Sequence, residues 1–209
     1  MPPRPYNIDK RRQQQAELRS RIAAAAAELH AQKGAVATSY ADIAQRAGVS
    51  LPTVYSHFPS QPELMAACTG HISAQAPLPP VEQILGAPDL RSAAEHLVAG
   101  MDKLNAYLEP WAAWREQRLI PSLADRAAGV RQQQAALITG VLERQLGAGE
   151  HRELAACWES LVHFDLWHRL VREHKLPRAT VRGVLVDLLL AVAGPRPAAP
   201  PHPRPRSKK

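Results

Sequence analysis

Residues 39–58, SYADIAQRAGVSLPTVYSHF, decide the fold. Ser39 followed three positions later by Asp42 is a capping box: the hydroxyl accepts from an orphan backbone amide and the carboxylate reaches back, so a helix is predicted to start there. It runs through Tyr40, Ile43, Ala44 and Ala47 and meets Gly48, whose missing Cβ admits the left-handed backbone of a tight turn. Ser50 then caps a second helix, Leu51 to His57, and Pro52 is tolerated because first-turn amides have no intrahelical partner. The small Ala44 lets the two helices approach, and Val49 and Val54 fill the wedge between them, which is the pattern of a helix-turn-helix.

The flanks read the same way. Leu18, Ile22, Ala25, Ala26 and Leu29 recur at helical period and stop at Gly34, while Ser60 with Glu63 starts a further helix that carries Leu64 and Met65 on its inner face. Pro77, Pro79 and Pro80 mark a boundary. Beyond it the periodicity predicts helices over residues 90–108, 111–120, 123–146, 152–174 and 178–193, and no alternating strand pattern of useful length occurs. The expected fold is all-α: an N-terminal three-helix head over residues 16–76, with the helix-turn-helix at about 39–58, and a helical body over 77–193. Residues 1–15 read as a basic arm, and the Pro-rich residues 194–209 as a disordered basic tail.

Composition narrows the class. The chain has 209 residues, 45% hydrophobic and 22% charged, as folded soluble proteins do. Charge is uneven: residues 1–75 carry 8 Lys/Arg against 5 Asp/Glu, residues 76–193 carry 13 against 14, and residues 194–209 carry 5 and no acid. A polyanionic partner is therefore expected at the head or the tail. Cys68 and Cys157 have neither disulfide-framework nor zinc-ribbon spacing. The N-terminal stretch has no apolar signal region, and Val184 to Val192 is too short to cross a bilayer. These features predict a cytoplasmic protein without a membrane anchor. No GxSxG, HExxH, P-loop or GxGxxG occurs, so no enzyme, cofactor or metal site is expected. His163, Asp165 and His168 fall on different helix faces and do not form a metal site.

A helix pair crossing in this way presents its second helix as a ridge that fits the major groove of B-DNA. From Ile22 to Leu64 the ordered elements, helix to Gly34, Thr38-Ser39, Asp42-Ile43-Ala44, Ala47-Gly48-Val49-Ser50, Thr53-Val54-Tyr55 and His57-Phe58, resemble the tetracycline-repressor (TetR) family of bacterial transcription regulators. The resemblance covers about the first third of the chain and implies a DNA-binding head, a divergent body that binds a small effector, and a homodimer. Three positions depart from the family pattern: His30 where Phe is usual, Tyr40 where a smaller aliphatic is common, and Gln61 in place of a phosphate-binding Lys.

Site residues follow from the resemblance and from side-chain chemistry. Ser39, Tyr55 and His57 resemble phosphate-contacting positions, with Tyr40 and Gln61 beside them. Ser50, Leu51, Pro52, Thr53 and Ser56 occupy the outer side of the recognition helix; Leu51 and Pro52 offer apolar contact to a thymine methyl, and Thr53 is the hydrogen-bonding reader. Arg4, Lys10, Arg11 and Arg12 precede the first helix as an arm that follows the DNA backbone or enters a minor groove.

In the body, Met101, Tyr107, Trp111, Trp114 and Trp158 suggest an apolar wall for an effector, enclosing about 300 Å³ or more. Asp165 reads either as the helical partner of Arg169 or as an effector-facing carboxylate. Residues 152–193 carry more apolar surface than one small core absorbs, which suggests a four-helix interface with a second copy. The leading expectation is a repressor that binds a pseudo-palindromic DNA operator as a homodimer and is released by a small apolar or aromatic effector. The alternatives are a constitutive DNA-binding protein without effector, and a small-molecule-binding protein or enzyme with a vestigial helix-turn-helix.

Overall fold

A computed structural model describes residues 8–116 and 119–194; Arg4 and the tail from Pro195 onward lie outside the described residues. Helix α1 spans Ile8–Lys33, α2 Tyr40–Ala47, α3 Leu51–His57 and α4 Gln61–Ala74. After the prolines come α5 at Val81–Leu85, α6 at Leu90–Ala112, α7 at Pro121–Leu146, α8 at Arg152–Leu161, α9 at Phe164–His168 with a π-helical turn at Arg169–Glu173, and α10 at Arg178–Ala193. The fold is all-α, with no strand among the described residues. None of the described helices is long and apolar enough to cross a membrane.

The head closes around Ile22 and Ala26 of α1, Ile43 and Ala44 of α2, Val54 and Phe58 from α3, and Leu64 and Cys68 of α4. Val54 and Phe58 are fully buried, so each contributes roughly 1.5–3 kcal/mol of apolar burial. The body core joins Leu97 and Val98 of α6, Ile138 and Leu142 of α7, Trp158 of α8, Trp167 of α9, and Val181, Leu185 and Leu189 of α10.

Three elements differ from the sequence reading. Helix α1 begins at Ile8 rather than after a 15-residue arm, so Lys10, Arg11 and Arg12 are helical. The run from Lys10 to Glu17 consists of strong helix formers, and Asp9 in the first turn complements the helix dipole. Pro110 does not end α6: placed two residues before the helix end at Ala112, it forfeits one backbone bond, and the expected helix over 111–120 is interrupted by a turn at residues 113–114.

The third difference is in the segment 152–174, where a single helix gives way to a break at Val162–His163. A continuous helix apolar on every side would leave part of that surface in water. The break, capped where His163 Nδ1 accepts from Asp165 N at 3.2 Å, turns both Trp158 and Trp167 into the core.

A buried carboxylate ties the body together. Asp102 of α6 is 3% exposed; its Oδ1 accepts from Trp167 Nε1 at 2.8 Å and Arg178 Nε at 3.0 Å, and its Oδ2 from Arg178 Nη2 at 2.9 Å and Arg182 Nη1 at 3.0 Å. Burial pushes the Asp102 carboxyl upward, but the hydrogen bonds from Arg178, Trp167 and Arg182 outweigh it and hold it below its usual range.

Candidate nucleic-acid interface

The caps read from the sequence are present with their geometry. Ser39 Oγ accepts from Asp42 N at 3.2 Å, and Asp42 Oδ2 accepts from Ser39 N at 2.9 Å. Lys33 Nζ donates to the same Asp42 oxygen at 2.8 Å, and this contact, before those of Ser39, holds the Asp42 carboxyl well below its usual range. Gly48 takes φ +65°, the left-handed turn that a side chain would resist. Ser50 Oγ accepts from Thr53 N at 3.3 Å and lies 2.8 Å from Thr53 Oγ1, so the first turn of α3 is fixed by its own hydroxyls.

This local construction sorts the faces of α3. Val54 faces the core, with Phe58 buried just past the helix end, whereas Leu51, Pro52, Tyr55 and Ser56 are exposed and Thr53 and His57 are half-buried. Ser39 and Gln61 are exposed at the starts of α2 and α4 on either side. The Tyr55 ring stands 4.8 Å from that of Tyr40, centroid to centroid. The Tyr40 hydroxyl is buried without a hydrogen-bond partner, and Tyr40 lines a pocket with Ser39, Tyr55 and Gln61.

Sequence reasoning missed Arg19. From α1 it donates to His57 O, and its guanidinium carbon lies 4.1 Å from the centre of the Phe58 ring, so α1 grips the C-terminal end of the recognition helix. The contact spans 38 residues and leaves no local signature.

The body holds the head through side chains that seek head carbonyls and amides. Tyr107 Oη donates to Ile72 O at 2.8 Å, Trp111 Nε1 to Ala27 O at 2.7 Å and Trp114 Nε1 to Ala31 O at 3.3 Å. Glu116 accepts from Ala35 N through Oε2 at 2.6 Å and from Val36 N through Oε1 at 2.9 Å. Gly34, at φ +80°, leaves room for this carboxylate: a Cβ there would lie 2.6 Å from Glu116 Oε1. Arg126 donates to Ser73 Oγ.

The residues expected to form one effector wall are therefore dispersed. Met101 and Trp158 are core, and Trp158 Nε1 donates to Leu189 O at 3.1 Å. Tyr107, Trp111 and Trp114 face the head. Asp165 pairs with Arg115 at 3.5 Å, while Arg169 turns to Glu173 instead. Of the six, Trp111 lines a cavity of about 70 Å³ at the head–body junction, with His30, Cys68 and Glu116. A cleft of about 390 Å³ between α6 and α10 and a pocket of about 250 Å³ behind Tyr40 and Tyr55 involve none of them. Among the described residues no three His, Cys, Asp or Glu side chains are grouped to hold a metal ion.

Residues 22–68 match the bacterial regulatory proteins of the tetR family. No curated protein matches the sequence. Three solved structures, each 20% identical, show the same fold. NalD, the secondary repressor of the MexAB-OprM multidrug efflux pump in Pseudomonas aeruginosa, covers 86% of this chain and 96% of its own with a TM-score of 0.65. A transcriptional regulator from Rhodococcus sp. RHA1 covers 83% and 95% at 0.61, and the multidrug binding protein EbrR, complexed with imidazole, covers 91% and 93% at 0.58. Residues 22–68 thus carry the tetR-family domain, and the chain shares the fold of these three structures.

Proposed function

We propose that the chain is a cytoplasmic repressor, a regulator rather than an enzyme, that binds a pseudo-palindromic DNA operator as a homodimer and is released by a small-molecule effector. The observation that carries DNA binding is the division of α3: Val54 is locked inside while Leu51, Pro52, Tyr55 and Ser56 stand outside on one short, doubly capped helix. Tyr55, His57, Ser39 and Gln61 suit contacts to phosphates, and Thr53 with the α3 N-terminus suits base edges.

Dimerisation is supported by α10. Its inner stripe, Val181, Leu185 and Leu189, is spent on the core, and a second stripe, Val184, Leu188 and Ala191, remains exposed. Helix α8 presents Ala156 and Cys157 to solvent as well. A two-fold contact there separates the recognition helices by about 34–36 Å or a multiple of it. Effector response is supported by the side-chain bonds from α6 and α7 into α1 and α4, which transmit a rearrangement of the body to the head, and by the fold shared with a multidrug binding protein and an efflux-pump repressor.

Selection of bound duplexes from random fragments tests this reading by yielding a palindromic consensus. On that site and a scrambled duplex, Tyr55→Phe and His57→Ala weaken binding to both alike. Thr53→Ala weakens the selected site preferentially, by about 1–3 kcal/mol. Equal losses on both duplexes would remove the reading role of Thr53.

A further inference from the structure

Helix α1 is longer than the core needs. Its packed stripe begins with Leu18 and Ile22, yet the helix starts at Ile8, and residues 9–17 are all exposed. An isolated segment of that length is a marginal helix in water, but here it propagates from turns that packing has already nucleated, so it forms a strut. At about 1.5 Å per residue, the stretch from Ile8 to Glu17 reaches roughly 15 Å beyond the core.

Contacts along α1 fix where the strut points. The body holds the C-terminal part of α1, Trp111 bonding to Ala27 O and Trp114 to Ala31 O. Nearer the N-terminus, Arg19 holds the end of α3 through His57 O and the Phe58 ring. The strut therefore leaves on the side away from the body, past the α3–α4 turn with His57 and Gln61 at its edges. Helical geometry then sorts its cations. Arg12 precedes Arg19 by two turns, about 10 Å along the axis and within about 20° of the same face, so it overhangs the end of α3. Lys10 is turned about 180° from Arg19 and Arg11 about 80°.

We propose that the α1 extension is a DNA-backbone strut, with Arg12 binding a phosphate of the duplex just outside each operator half-site. A helix is about 10–12 Å across and the minor groove of B-DNA about 6 Å wide, so these helical residues cannot thread that groove. Of the two modes expected of an arm, the backbone contact is the one the helix permits. Such a contact adds affinity and salt dependence without reading bases. It rests on the regulator reading above and carries the DNA footprint outward from the recognition helix.

The test uses the full chain, the duplex obtained by the selection above with about one further helical turn on each side, and the same duplex trimmed to the selected site. On the flanked duplex, Arg12→Gln, which exchanges one good helix former for another, should weaken binding about tenfold. It should also lower the slope of log affinity against log salt by about 1 for each bound head. On the trimmed duplex it should match the wild type. Lys10→Gln removes the same charge from the opposite face and should keep the wild-type slope on both duplexes. Changing the flanks from A·T to G·C should leave wild-type affinity unaltered, because a phosphate contact reads no base. Equal losses for Arg12→Gln on both duplexes, an equal fall in slope for Lys10→Gln, or a preference for A·T flanks would overturn the proposal. In each of those outcomes the selected site is still bound and the regulator reading survives, whereas a chain that selects no duplex refutes both.

Discussion

At the scale of single residues, the departures from the family pattern are where new chemistry enters. Tyr40 buries a hydroxyl that nothing accepts, and burial pushes its ionisation upward. An unsatisfied buried donor costs about 1–3 kcal/mol, so Tyr40→Phe should raise stability by about 1 kcal/mol in denaturant melts and leave DNA affinity unchanged. A loss of DNA affinity would restore the hydroxyl to the interface. His30 behaves differently because it titrates. Its imidazole is held below the usual range by burial, so the unfolded chain binds a proton first as pH falls through about 6.5. Stability that is complete above that pH is therefore lost below it. His30→Phe should show a smaller fall in melting temperature between about pH 6.5 and 5.5 than the wild type.

At the scale of elements, stability rests on junctions that one substitution can isolate. Asp102→Ala removes the acceptor shared by α6, α9 and α10. Arg178 and Arg182 are 44% and 41% exposed at their side chains and can rehydrate, whereas Trp167 Nε1 is left buried without a partner. The expected loss is therefore about 2 kcal/mol rather than the 3–5 kcal/mol of a stranded buried charge, measurable by urea unfolding. The same contrast between local and distant contacts decides what the sequence reveals. The caps at Ser39, Ser50 and Ser60 involve residues three apart, so the head could be read to within a residue at those positions. Apolar periodicity could not separate one long helix at 152–174 from two turned at His163, because both place the same residues at helical spacing. Trp111 and Trp114 read as a ligand wall because their true partners, Ala27 and Ala31, lie 84 and 83 positions away.

At the scale of the whole molecule, the chain is a head clamped onto a body whose α10 still carries an unspent apolar stripe. Leu188→Glu places a charge in that stripe and should shift the protein to monomers in sedimentation at micromolar concentration, with far-UV spectrum retained, because Leu188 is 41% exposed and outside the core. A wild type that sediments as a monomer under the same conditions would refute the two-fold assembly.

The anchoring of two indoles on α1 also makes the molecule its own optical instrument. Trp158 and Trp167 are sealed in the body, away from the head, while Trp111 and Trp114 bond to carbonyls of the helix that carries the head. Replacing Trp158 and Trp167 by Phe would leave an emission spectrum that follows the angle between head and body in unlabelled protein.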